Sequence, residues 1–311
     1  MTGCRPLMIC MTCILFFACA DEHESRYIRL SSGSRRVLRP KPESSTSTRD
    51  RSALHVAVAN VISPRASYRL YDDLLTYVSD RLGRPVERLQ RSTYAEVNDL
   101  IRYGDADIGF VCSVAYLQGQ RDFGMELLAA PVVNGKQTYQ SYILVPSDSA
   151  AKVVTDLSGK VFAFTDPLSN SGRLAPEYLL HQHGERPETF FSRVVFTYSH
   201  DNSVNAVANK LVDGAAVDSL VFDSMTEQDA SLRPKLKIIW KSPSYGIPPV
   251  VVNPRLNADL KSRLRTILFG MHENAEGRRI LRSLSIERFA PIADSAYDSI
   301  RSMLAEIGRQ P

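Results

Sequence analysis

Apolar and polar positions along most of this chain switch between two periods, one of about two residues and one close to 3.6. Leu54-His55-Val56-Ala57-Val58-Ala59 is a short, dense apolar run that suits a buried strand. Tyr71, Leu74, Leu75, Val78 and Leu82 then recur at helical spacing until Gly83 closes the pattern. The spacing predicts a strand over 86–89, a helix over 93–103 closed by Gly104, and a third strand over 106–111. Strands follow over 127–133, 141–145 and 161–164, then a helix over 174–183 and a strand over 194–196. Val204, Val207, Ala208, Leu211 and Val212 mark a helix, and 215–217 a strand. Strands over 236–240 and 250–252 and helices over 256–270, 275–284 and 293–307 complete the chain. Strands alternating with helices predict an α/β fold with largely parallel sheets.

Composition narrows the class. The chain has 311 residues, 44% apolar and 23% charged, enough for a folded core. Its formal charge of +4 is concentrated at the start. Residues 20–52 carry eight Lys/Arg against five Asp/Glu, whereas 53–311 carry 29 of each. A folded part without net charge lacks the basic surface that phosphate-backbone binding needs, so no nucleic-acid partner is expected.

Four of the five cysteines, Cys4, Cys10, Cys13 and Cys19, precede residue 20, and only Cys112 lies in the globular part. A disulfide scaffold is thereby excluded. After Arg5 an apolar run over 7–17 has the length of a signal-peptide core and is too short to span a bilayer. It ends Leu15-Phe16-Phe17-Ala18-Cys19, which resembles a bacterial lipobox, with Phe16 where leucine is preferred. The resemblance implies a lipoprotein signal peptide over 1–19 and lipidation at Cys19; plain secretion with cleavage near Ala18 or Ala20 is the alternative. Residues 20–52 hold Ser31-Ser32-Gly33-Ser34, Pro40-Lys41-Pro42 and Ser44-Ser45-Thr46-Ser47-Thr48, a composition that predicts a flexible tether. The expected location is the cell envelope or periplasm, anchored by lipid.

The most informative segment is Thr165-Asp166-Pro167-Leu168-Ser169-Asn170-Ser171-Gly172, between a predicted strand and helix. Ser169, Asn170 and Ser171 offer side-chain donors, Gly172 permits close backbone approach, and the helix start supplies free N–H groups and a positive dipole end. Anion binding and ordinary helix capping both fit these residue types. Pro176 suits only a first helical turn, which places the true helix start a few residues beyond Ser171. His200, in Tyr198-Ser199-His200-Asp201, can donate to an anion and titrate near neutral pH, or can cap a helix. Tyr94 and Tyr139 lie near strand ends and can serve in packing or in ligand contact.

Asp166 to Gly172 with Pro176 resembles the Asp-Pro-x-Ser-x-Ser-Gly element of the phosphate, phosphite and phosphonate binding proteins of ABC importers. Matching pieces follow the family's order: Tyr94-Ala95-Glu96-Val97, Ala106-Asp107-Ile108-Gly109, Tyr139-Gln140-Ser141, His200-Asp201 before Ala206-Val207-Ala208-Asn209-Lys210, Val212-Asp213, and Ile239-Trp240-Lys241-Ser242-Pro243. The resemblance covers about 53–290. It implies a type II periplasmic-binding-protein-like fold of two lobes, 53–138 plus 243–311 and 139–242, with a cleft between them and two hinge strands. It implies that Tyr94, Tyr139, Ser169, Asn170, Ser171 and His200 hold a small phosphorus oxyanion, with Asn170 where threonine is common. The implied partners are an ABC permease and its ATPase, and the implied state is a monomer with neither cofactor nor metal. The acidic residues that hold an ammonium in aminoalkylphosphonate binders fall at Leu220 and Pro248, with Asp218 close by. An ammonium buried there without a counter-charge would cost about several kcal/mol, so an amine-free ligand is expected.

Rival classes fare worse. Ser171, His200 and Asp218 invite comparison with a nucleophilic triad, yet no Gly-x-Ser-x-Gly is present. No His-Glu-x-x-His or Cys/His cluster supports metal hydrolysis, and His181 and His183 point to different helix faces. A sensing protein that presents its ligand-bound form to a membrane receptor or histidine kinase would have the same fold. So would a binder of another organic anion, such as a sulfonate or a thiamine precursor.

Overall fold

The computed structural model describes residues 52–309 except Ser63, with the side chains of 64–70 left aside. The predicted signal peptide, Cys19 and nearly all of the predicted tether lie outside the described residues.

The first sheet holds β1 (Leu54–Val58), β2 (Val86–Gln90), β3 (Ile108–Phe110) and β4 (Glu126–Val132). After a two-residue β5 (Thr138–Tyr139), the chain enters a second sheet of β6 (Ser141–Pro146), β7 (Val161–Phe164), β8 (Arg193–Phe196), β9 (Gly214–Asp218) and β10 (Leu236–Lys241). It returns through β11 (Tyr245–Gly246) to place β12 (Val250–Val252) and β13 (Arg288–Ala290) in the first sheet. The orders are β13-β4-β12-β3-β1-β2 and β10-β6-β9-β7-β8. The two crossings pair with each other, β5 against β11, with Tyr139 opposite Tyr245.

The helices are α1 (Pro64–Leu82), α2 (Tyr94–Tyr103), α3 (Ser113–Phe123), α4 (Ala175–Gln182), α5 (Pro187–Phe190), α6 (His200–Ala208), α7 (Ser219–Gln228), α8 (Ala258–Phe269), α9 (Ala275–Ser283) and α10 (Asp298–Glu306). Most predicted elements are present within a few residues. The helix around Val204 starts earlier and ends at Ala208, leaving Leu211 exposed beyond it. The last predicted helix divides into a 3-10 turn (Asp294–Tyr297) and α10. α3 and α7 are helices that the apolar spacing did not announce.

The sheets are mixed rather than largely parallel. β1 pairs in parallel with β2 and β3, and β7 with β8 and β9. The strand that returns from the second crossing, β12, inserts between β3 and β4 and runs antiparallel to both. The strand that enters from the first crossing, β6, runs antiparallel to β9 and β10. Each crossing thus delivers a strand against the direction of its sheet.

Both sheets are covered on both faces, which accounts for the unbroken burial of β1, β6 and β9. Period-two alternation sorts their side chains. Leu54, Val56 and Val58 pack with Leu74, Leu75, Leu264 and Leu268, while Ala57 turns to the side of Tyr94, Val97 and Ala115. In β6, Ile143 and Val145 meet Phe162, Phe164 and Phe191, and Tyr142 and Leu144 meet Val204, Val207 and Phe222.

Candidate functional site

The loop after β7 builds the centre of the site. Asp166 folds it back: its Oδ1 accepts the Leu168 N–H at 2.8 Å and its carbonyl accepts the Ser169 N–H at 2.9 Å. Residues Asn170–Leu174 then form a π turn that runs straight into α4, with Pro176 in the first turn of that helix. A missing N–H is harmless there, so the proline does mark the true α-helical start. Ser169 caps the π turn, its Oγ accepting the Gly172 N–H at 2.9 Å. Gly172 is required for packing against Thr165, since an added Cβ would lie 2.5 Å from the Thr165 Cβ and 2.9 Å from the Ser169 Oγ. That missing side chain lets the turn pack closely against Thr165.

Ser171 differs from Ser169. Its Oγ is buried and has no hydrogen-bond partner, as are Asn170 Oδ1 and Ser199 Oγ. Buried polar atoms are nearly always paired, so orphans gathered at the start of a helical segment point to a missing hydrogen-bonding partner. The Ser171 carbonyl is held by the Ser141 hydroxyl at 2.6 Å, which fixes the turn against β6.

His200 begins α6. Its Nδ1 lies 3.0 Å from the Asp218 N–H and 3.1 Å from Thr165 Oγ1. A backbone N–H can only donate, so Nδ1 is the acceptor and the proton of the neutral ring sits on Nε2. Burial lowers the His200 pKa to about 3. The ring therefore stays neutral at physiological pH and presents a permanent N–H donor, correcting the expectation that it titrates near neutrality.

Tyr139 ends β5, and its hydroxyl accepts from Asn170 Nδ2 at 3.1 Å and also meets the Ser113 side chain. Tyr94 is the first residue of α2, a start fixed by a capping box in which Thr93 and Glu96 satisfy each other. Both phenols are held well above the usual tyrosine range, first by burial and also by neighbouring acidic groups, so both remain proton donors. The six residues expected at the site, Tyr94, Tyr139, Ser169, Asn170, Ser171 and His200, are all buried and fall in this one region. Their donors are neutral hydroxyl, amide and imidazole groups.

Three contacts there were not foreseen. The Asn170 N–H donates to Cys112 Sγ at 3.2 Å, the Tyr94 N–H to Asp166 Oδ2 at 3.3 Å, and the His200 N–H to the Val61 carbonyl at 3.0 Å. Each joins an element of the first sheet's side to one of the second's. Cys112 is a buried free cysteine whose sulfur serves the backbone. It sits at the start of α3 as an acceptor, and burial raises its thiol to about 11, which keeps it unreactive.

A groove of about 1220 Å³ adjoins this cluster and shares Asp218 with it. Leu220 and Pro248 both line the groove, together with Ile247 and Pro249. Both positions thus border one groove, which acidic side chains including Asp223 and Glu227 also line. Asp218 stands at its edge, 3% exposed, capping α7 by accepting the Leu220 N–H at 2.7 Å.

The family model described as "ABC transporter, phosphonate, periplasmic substrate-binding protein" matches residues 56–297. The chain belongs to this family. It is 28% identical over 268 residues to the phosphate-import protein PhnD of Mycolicibacterium smegmatis, covering 77% of this chain and 81% of that one. It is 25% identical over 251 residues to the phosphonates-binding periplasmic protein of Escherichia coli, covering 78% and 74%. A binding protein component of an ABC phosphonate transporter from Pseudomonas aeruginosa matches with a TM-score of 0.78 at 25% identity, over 83% of this chain and 87% of that one. PhnD1 of Prochlorococcus marinus, solved with methylphosphonate, matches with a TM-score of 0.76 at 18% identity, over 83% and 99%, and shares the fold. This phosphonate-binding family has the two-lobe, type II periplasmic architecture expected from the sequence. Among the described residues no helix is long and apolar enough to cross a membrane.

Proposed function

We propose that this protein captures a small phosphorus oxyanion (phosphate, phosphite or a short alkylphosphonate) by closure of two lobes, as the solute-binding component of an ABC importer. The observation that carries the reading is the Ser171 hydroxyl, buried without a partner among neutral donors at the head of a helical segment. A tetrahedral oxyanion supplies the acceptors that such a cluster lacks. Ser171 Oγ, His200 Nε2 and the Tyr94 and Tyr139 hydroxyls donate to it, Asn170 orients Tyr139, and Ser169 holds the turn. Neutral donors bind an anion well in a dry site because charge-assisted hydrogen bonds strengthen there.

The lobes are 53–138 with 243–311, and 139–242; the pairing of β5 with β11 supports these boundaries, because it makes the two crossings one narrow hinge. Ligand donors come from both lobes, so closure is favoured by contacts the open form does not make. The lack of a carboxylate at Leu220 and Pro248 favours a ligand without an amine. The closed shape docks on a permease and its ATPase, the protein acts as a monomer tethered through Cys19, and it performs no chemistry on its ligand.

Thermal unfolding with phosphate, phosphite, methylphosphonate and 2-aminoethylphosphonate, each alone, tests this reading. A ligand at about 100 times its dissociation constant stabilises by about 2.7 kcal/mol, a Tm rise of roughly 5–10 °C in a protein of this size. A rise with an amine-free oxyanion is expected. No rise with any of the four, on protein stripped of carried-over ligand, would refute it.

A further inference from the structure

Asp166 spends its carboxyl on the Leu168 and Tyr94 N–H groups, which leaves Asp218 as the carboxyl of this site that borders the groove. Asp218 ends β9, its own N–H is spent on His200 Nδ1, and its side chain lies where the donor cluster meets the groove. The N–H groups of Leu220 and Val221 occupy part of its hydrogen-bonding capacity, and a carboxyl has about four acceptor positions. The groups that face it are Tyr94 from α2, Cys112 before α3, Tyr139 from β5, Tyr142 from β6, His200 from α6 and Asp223 from α7. The nearby cations Arg233 and Lys241 act on Asp223. Burial raises the Asp218 pKa to about 7, against His200 at about 3 and Cys112 at about 11. The phenols stand higher than their usual range. Between about pH 6 and pH 9, Asp218 therefore titrates while His200 and Cys112 do not.

A carboxylate and an oxyanion brought together without a cation between them cannot both stay fully ionised, because like charges in a dry site raise one of the two pKa values. We propose that Asp218 is a ligand-contacting, specificity-determining residue that shares one proton with the bound oxyanion, so that the site holds the hydrogen-bonded pair and rejects the state in which both are ionised. The inference rests on the oxyanion reading above and adds to it the protonation state of the ligand. The shared proton lies on a ligand oxygen or on an Asp218 oxygen, and no bond other than O–H changes. Capture is thereby coupled to proton uptake, and a ligand is selected for an oxygen that can carry or accept that proton.

Calorimetric titration of the protein with methylphosphonate from about pH 6 to about pH 9, in paired buffers of different ionisation enthalpy, counts the protons exchanged on binding. At the alkaline end, uptake of about one proton per ligand is expected, with affinity falling about tenfold per pH unit. Asp218→Asn keeps an acceptor for the Leu220 N–H and should bind the dianion with no proton uptake and a level affinity at the alkaline end. Equal uptake by the two proteins, or none by the native protein, overturns the proposal while leaving oxyanion capture standing. So does a loss confined to 2-aminoethylphosphonate in Asp218→Asn, which would make the carboxylate an ammonium partner instead. No binding by the native protein at any pH sinks both readings. The proton count on the native protein decides the matter even where the variant folds poorly.

Discussion

Replacing Ser171 by alanine should weaken ligand binding while leaving the ligand-free fold as stable as before or more so. Ser171 Oγ is buried and makes no hydrogen bond within the protein. Its desolvation is a standing cost, about 1–3 kcal/mol for an unpaired buried polar group, which alanine removes. The hydroxyl's return comes when an oxyanion accepts from it, a charged hydrogen bond of about 1.5–3 kcal/mol, or about 10- to 150-fold in affinity. Ser169→Ala supplies the contrast two residues away. Its Oγ already accepts the Gly172 N–H at 2.9 Å as the cap of the turn, and losing such a cap costs about 1 kcal/mol, a Tm loss of roughly 2–4 °C. Thermal unfolding without ligand and calorimetry with it should therefore separate the two serines, one mainly a loss of binding and the other mainly a loss of stability. If Ser171→Ala lowers the ligand-free Tm as far as Ser169→Ala does and binds like the native protein, the assignment of Ser171 to the ligand is wrong.

The pKa shifts give two predictions of opposite sign. His200 is held down to about 3 when folded, so its contribution is full above its unfolded value near 6.5 and is lost as pH falls from there toward 3; NMR should show its ring neutral at pH 5, and a His200 signal titrating near 6.5 would contradict the tautomer deduced from Nδ1. Asp218 is raised to about 7, so its contribution is full below the unfolded value of 3.8 and is lost as pH rises toward 7. Asp218→Asn should flatten the decline in ligand-free Tm over that window, and an unchanged pH profile would argue against a buried neutral carboxyl. Gly172→Ala would force a methyl onto Thr165 and Ser169 and should cost about 1–3 kcal/mol as overpacking, together with affinity; a variant with native Tm and native binding would show that the turn has slack.

Much of the architecture was legible because buried strands and capped helices leave strong local marks. The apolar run at β1, the Gly104 end of α2 and the Pro176 start of α4 are examples. Strand direction was not legible, since a strand buried on both faces reads as a dense apolar run whichever way it pairs. α3 and α7 escaped for a related reason. α7 starts directly on the end of β9, with Asp218 at once the last strand residue and the helix cap, and only Val111 and Cys112 separate β3 from α3, so no polar spacer announced either helix. At the candidate site, residue types and order singled out the Ser169–Ser171 turn, Tyr94, Tyr139 and His200, all of which the fold buries. The different duties of Ser169 and Ser171 were hidden, because they depend on which hydroxyl the π turn consumes. The neutrality of His200 was hidden too, since it follows from burial and from a backbone donor 18 residues away.

A crystal structure of the protein grown with methylphosphonate tests the central claim most directly. The account predicts phosphonate oxygens within hydrogen-bond distance of Ser171 Oγ, His200 Nε2 and the Tyr94 and Tyr139 hydroxyls, with Asp218 touching one of them and the methyl group toward Leu220 and Pro248. A phosphonate bound elsewhere in the groove, with the Ser171 hydroxyl still lacking a partner, would contradict it.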